Sequence, residues 1–133
     1  MHLKEAITAH LKADATITTL VGQRVYPGAA PQNAPEPLIV YSMVSGVRDV
    51  TQDGLSGFVT SRVQFDCMAR SSLVASNLAK AVVASLGGIR GVIGGVGGVQ
   101  LEGTFPDDEV DGYNDELELH ATSVDITFQH IDE

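Results

Sequence analysis

Gly57-Phe-Val-Thr-Ser-Arg-Val-Gln-Phe-Asp-Cys-Met68 alternates apolar and polar residues with a period of two. Val59, Val63, Phe65 and Cys67 fall on one face, and Thr60, Arg62, Gln64 and Asp66 on the other, the pattern of a strand with one buried side. Just upstream, Leu38-Ile-Val-Tyr-Ser-Met-Val-Ser45 is rich in β-formers. The stretch between them, Asp49 to Ser56, carries Asp53-Gly54 and runs into Ser56-Gly57, both turn signals. The two segments read as a long β-hairpin whose tip projects beyond the body of the fold.

Working outward toward the N-terminus, Pro27 to Pro37 holds four of the five prolines. Proline lacks a ladder donor and forces its predecessor extended, so this is a non-repetitive loop. Before it, Leu3, Ile7 and Leu11 recur every fourth residue with Ala6 beside them, one face of a helix. Asp14 can cap a further turn or two through Leu20-Val21, and Gly22 stops it. The β-branched run Thr16 to Thr19 weakens that second piece and predicts a kink near Asp14.

Toward the C-terminus, Ser71 or Ser72 offers an N-cap for a helix through Leu86, with Val74, Leu78, Ala81 and Val82 as its apolar stripe. Gly87-Gly88 ends it. Seven of the fourteen glycines lie between Gly87 and Gly98, and this stretch reads as a flexible surface loop. A strand from Val99 to Phe105 comes next, then an acidic loop, Asp107-Asp-Glu-Val-Asp-Gly-Tyr-Asn-Asp-Glu116. The last strand runs from about Leu117 to His130 with Val124, Ile126 and Phe128 on one face. Leu117 and Leu119 have the opposite parity, so a bulge is expected between Ala121 and Ser123. The order predicts one α+β domain spanning residues 1–133. Two helices pack on one face of a mainly antiparallel sheet of four to five strands, with the hairpin projecting.

The composition bounds the function. A chain of 133 residues, 44% apolar and 19% charged, is a globular composition of one-domain size. No apolar run approaches the roughly 20 residues that span a bilayer. The start, Met1-His2-Leu3-Lys4-Glu5, lacks a signal-peptide core, and the lone Cys67 has no internal disulfide partner, so a cytosolic compartment is expected. A net charge of −9 disfavours a nucleic-acid backbone or an anionic membrane as partner.

Catalytic and metal signals are thin. The glycine-rich stretch matches neither the phosphate loop nor the dinucleotide fingerprint, and no lysine occurs from Ala81 to Glu133. Asp107, Glu109, Asp111, Gly112 and Glu118 fall near calcium-loop offsets, but Glu109 is long for its place and Pro106 with flanking strands replaces the clamping helices. A solvated acidic loop is the preferred reading. His2, His10, His120 and His130 form no zinc-ligand cluster and read as surface or boundary residues. Cys67 sits on a core face, and no Gly-x-Ser-x-Gly elbow is present. No enzyme, metal or cofactor is expected.

The order of local signals resembles a known family. A helix leads to Leu20-Val-Gly-Gln-Arg-Val-Tyr-Pro27, a Pro-rich loop and Pro37-Leu-Ile-Val-Tyr41. Arg48-Asp-Val-Thr-Gln-Asp-Gly54, Arg62-Val-Gln-Phe-Asp-Cys67, Gly98-Val-Gln-Leu-Glu-Gly103 and the acidic segment with Tyr113 follow. This succession is similar to the phage tail completion family across nearly the whole chain. The glycine-rich stretch, longer than the usual link, is the departure.

The resemblance implies a tail terminator of a long-tailed phage or prophage. Such a protein forms a homo-hexameric ring on the tail tube protein, stops its polymerisation and presents a surface to a neck or stopper protein. It implies assembly in the bacterial host cytoplasm, a place at the head-proximal end of the virion tail, no cofactor and no membrane. DNA passes through such a ring without specific binding. Subunit or partner contacts are expected from the hairpin tip (Arg48, Asp49, Thr51, Asp53, Gly54) and from Ile89, Val92, Ile93 and Val96. Asp107, Asp108, Glu109, Asp111, Asp115 and Glu116 are expected to line the lumen or a partner face. The alternatives are a neck stopper or adaptor, a ligand-binding regulatory domain with the glycine-rich loop closing on its ligand, and, least favoured, a metal-dependent hydrolase.

Overall fold

The computed structural model describes residues 2–51 and 54–131, leaving out the side chains of residues 51 and 54–56. Nine elements follow in order: α1 Leu3–Ala13, α2 Ala15–Val21, β1 Val25–Pro27, β2 Leu38–Thr51, β3 Gly54–Ala69, α3 Ser72–Leu86, β4 Gly91–Ile93, β5 Val99–Asn114 and β6 Leu119–Ile131. The strands form one curled, mixed sheet in the order β1-β2-β3-β6-β5-β4. β1 pairs parallel with β2, and every other pairing is antiparallel.

The α+β class is as expected, but the described residues form six strands and three helices. The extra strands are the three-residue edges β1 and β4, too short to show an alternation. The extra helix comes from the kink at Asp14. Its carboxylate accepts from the N–H groups of Thr16 at 2.9 Å and Ile17 at 3.2 Å, satisfying the first donors of α2 and so starting a new helix. The glycine-rich stretch is not a free loop. It contains β4, paired with Val99 to Leu101, and Ile93 is buried there.

All three helices pack into one apolar cluster with the inward residues of the sheet. Tyr41, Phe65 and Phe128 lie in its middle, with ring centroids 5.4 Å and 6.4 Å apart in succession. The Tyr41 hydroxyl donates to the Lys4 carbonyl at 2.5 Å and bonds to the Thr8 hydroxyl, tying α1 to β2. His10 reaches the Ser85 carbonyl at 3.1 Å and ties α1 to α3. The buried stripe of α3 is Ala75, Leu78, Ala79, Val82 and Leu86, rotated from the expected one. Val74 is exposed and Ala81 half-buried, while Ala75 and Ala79 join Leu78 and Val82 on the buried side.

The expected bulge in β6 is absent. β6 pairs with β3 residue by residue from His120 to Ile131. The irregularities sit instead in its neighbours' pairings, between Met43 and Ser45, Arg48 and Val50, Leu101 and Gly103, and Pro106 and Glu109. Leu119 has its odd parity because it belongs to a second cluster, with Leu38 and Met68, on the helix-free face of the sheet.

Candidate assembly surfaces

The β2–β3 hairpin is observed, pairing from Leu38 with Met68 to Thr51 with Gly54. β6 accompanies β3 only from Phe58, opposite Ile131, so among the described residues the hairpin runs on past its neighbour as an arm. The sequence placed its contacts at Arg48, Asp49, Thr51, Asp53 and Gly54. Arg48 and Asp49 are exposed on β2, while Thr51 and Gly54 form the last described pair. Asp53 lies outside the described residues. The sequence reading missed the exposed apolar residues along β2, of which only Val50 lies past the end of β6. Val44, Val47 and Val50 are 53%, 66% and 68% exposed, and Met43 is exposed beside them. Their spacing of three matches neither a strand nor a helix stripe, and that is the signal to look for.

At the other end of the same strands lies a groove of about 1260 Å³. Its floor is the second apolar cluster, Leu38, Met68 and Leu119, with Val40 packed against it. One wall is the Pro-rich loop from Ala30 to Glu36, and the other is the β5–β6 turn from Tyr113 to Leu119. Both walls are tied in place. Glu36 accepts from the Arg70 N–H at 2.7 Å, and Arg24 Nε donates to the Pro37 carbonyl at 2.9 Å. Asn114 accepts from the Leu117 N–H at 3.0 Å, and the Tyr113 and His120 rings meet edge-on.

The acidic segment folds as strand, not loop: Asp107 to Asn114 continue β5, with Asp107 and Asp108 in a register shift and Glu109 to Asn114 paired along β6. Their carboxylates therefore divide between the two faces of the sheet. Asp107 accepts from Thr127 at 2.7 Å on the helix-free face, whereas Asp111 accepts from Thr122 at 2.9 Å on the opposite one. Glu116 lines the groove, and Asp115 is exposed in the turn. An extended strand does not wrap a cation, and among the described residues no group of three His, Cys, Asp or Glu could hold a metal ion.

The helix-free face is polar along its middle. Arg62 grips Asp125 through Nη2 at 2.5 Å and Nε at 3.1 Å. That hydrogen bond first, then the charges of Asp125, Asp107 and Asp108, holds the guanidinium above its ordinary value. Asp66 accepts from Gln64 at 2.9 Å and Ser123 at 2.7 Å. Of the glycine-rich residues expected at an interface, Val92 and Val96 are exposed, Ile89 packs partly against the core and Ile93 belongs to the core itself. Ile93 is thus a packing residue within the chain.

Two groups with chemical potential are sealed. Ser61 Oγ lies 2.9 Å from His130 Nε2, a hydroxyl–imidazole pair that the sequence reading, with His130 near the surface, did not foresee. Ser61 has no exposed surface and His130 only 6%, so no substrate reaches the hydroxyl. Burial pushes the Cys67 thiol far up, with smaller contributions from Asp66 and Glu109. It therefore stays protonated and packs as an apolar group.

A small α+β chain whose accessible features are a projecting hairpin, exposed apolar residues along β2, a groove and a carboxylate-rich face is equipped for docking to other proteins. The comparisons with known proteins agree. The family model described as Tail completion protein gp17 matches residues 5–128, and the chain belongs to that family. Among solved structures, it is similar to a chain of "Virion of native gene transfer agent (GTA) particle", with a TM-score of 0.71 and 20% identity over 97% of this chain and 94% of that one. At that identity the likeness shows the fold. No curated protein matches the chain in sequence. Family membership makes this a structural protein of the phage tail.

Proposed function

We propose that the chain is a tail terminator. It closes as a homo-hexameric ring on the head-proximal end of the tail tube and stops addition of tube protein, and its outer rim receives a neck or stopper protein. The observation that carries this reading is the family match along residues 5–128. The unlike ends of the subunit support it, since a cyclic ring needs two different patches on each copy. The whole chain, residues 1–133, acts as one domain in the ring. It works without a cofactor and without a membrane, in virions assembled in the host cytoplasm.

DNA passes through the centre without being held. The net charge of −9 leaves few cations to neutralise phosphates, and a ring of such subunits repels a polyanion. The test is removal of the chain from its phage and inspection of the particles. Overlong tails without heads are the expected result. Tails of normal length beside leaking heads would assign it to the neck instead.

A further inference from the structure

We infer that the groove between the Pro-rich loop and the β5–β6 turn seats a segment of a different protein, one with an apolar anchor flanked by lysines or arginines. Ring closure plays no part in this, so the failure of either reading leaves the other standing. The groove, at about 1260 Å³, exceeds the roughly 300–1,000 Å³ of small-ligand pockets. It suits a length of polypeptide.

The apolar surface an anchor would cover lies mainly on the walls. Leu38, Met68 and Leu119 close the floor from within, and Val40 is half-buried against them. Tyr113 and Leu117, 54% and 55% exposed, line the turn side, and Pro31 and Pro35 are exposed on the loop side. Covering such aromatic and aliphatic surface is what gives a docked segment its affinity.

The charge selects the flanks of that segment. Glu36, Asp66, Glu116 and Glu118 line the groove against the single guanidinium of Arg70. Glu36 accepts from a backbone N–H, and Asp66 from Gln64 and Ser123. These donors are neutral and leave the negative charge uncompensated. The four carboxylates come from the Pro-rich loop, β3 and the β5–β6 turn, and among the described residues no group of three could hold a metal ion. Carboxylates spread along a groove match cations spread along a chain.

A second copy has no segment of that kind. No window of eight residues in this sequence holds two lysines or arginines, the nearest pairs being Lys4 with Lys12 and Arg62 with Arg70. The occupant therefore belongs to another protein.

The experiment screens a yeast-displayed library of random twelve-residue peptides against the full-length chain. Enrichment of peptides with an apolar core flanked by Lys or Arg is expected. The strongest of them, synthesised, should protect the amides of residues 30–38 and 113–119 from hydrogen exchange. It should bind Glu116→Lys with Glu118→Lys about ten-fold more weakly than wild type, and wild-type binding should weaken as salt rises. Leu117→Ser, which removes exposed apolar surface and no charge, should weaken binding while keeping its salt dependence. Enrichment of acidic peptides, no enriched class, or equal binding by the charge-reversed variant overturns the proposal. Protection of the same amides when the chain self-associates without peptide also overturns it, by assigning the groove to a second copy.

Discussion

The Thr104 hydroxyl donates to the Leu86 carbonyl at 2.5 Å while accepting from the Ile89 N–H at 2.9 Å. One buried side chain thus satisfies the last turn of α3 and the start of the link to β4 together. The Gly88 N–H adds a bond to the Thr104 carbonyl at 3.2 Å. Thr104→Val keeps the shape and removes the hydroxyl, leaving a carbonyl and an N–H unpaired. The expected cost is about 2 kcal/mol, read as a lower urea midpoint with an unchanged slope.

Asp14 is the joint between α1 and α2. Its carboxyl is held below the ordinary value of 3.8, first by the Ser85 hydroxyl beside it and then by the N–H groups of Ile17 and Thr16, with burial opposing and the charge of His10 assisting. Ser85 Oγ lies outside normal hydrogen-bond geometry, so the two N–H bonds are the firmer part of that account. Asp14→Ala should cost about 1 kcal/mol at neutral pH, as for other N-caps. A lowered carboxyl contributes stability above its unfolded pKa and loses it as pH falls through the folded value. The difference between wild type and Asp14→Ala should therefore shrink below pH 3.8, measured by denaturant titration across the acid range.

Much of this architecture was legible in the sequence. The alternation from Val59 to Cys67 placed the central strand with the correct inward face, and Asp53-Gly54 marked the hairpin. What failed had physical causes. A three-residue strand such as β1 or β4 carries no period, so only pairing reveals it. Leu119 broke parity because the sheet has apolar residues on both faces, which a single-core reading converts into a bulge. The acidic run from Asp107 reads as loop on composition, yet pairing with β6 imposes a strand. The groove could not be read at all, since its walls are some 80 residues apart in sequence, at Ala30 to Glu36 and Tyr113 to Leu119.

Gly98 closes the turn that returns β4 to β5. Its N–H donates to the Gly95 carbonyl at 3.1 Å, and a Cβ there would overlap the Ile93 carbonyl oxygen and sit 2.9 Å from that of Gly95. Both obstacles are backbone, so Gly98→Ala should force β4 away from β5 and draw Ile93 out of the core. A cost of about 2 kcal/mol is expected, the scale of overpacking. Val96→Ala, two residues away and fully exposed, should change stability by less than about 0.5 kcal/mol. Equal effects of the two substitutions would remove the steric explanation.

The division of carboxylates between the two faces of β5 allows the lumen proposal to be tested by face. Asp107 bonds to Thr127 on the helix-free side, where the charges of Asp107 and its neighbour Asp108 both act on Arg62, whereas Asp111 bonds to Thr122 on the other. If the helix-free face lines the channel, Asp107→Lys with Asp108→Lys places cations where DNA passes. Those cations would bind phosphate and release counterions, with a salt dependence of roughly 0.9 log units in affinity per log unit of salt for each contact formed. DNA ejection from assembled particles should then slow, and recover as salt is raised. Asp111→Lys makes the same charge change on the opposite face and should leave ejection unaltered. Slowing by Asp111→Lys alone would turn the subunit over, with its helices toward the channel, and unchanged kinetics in both variants would remove the acidic lumen.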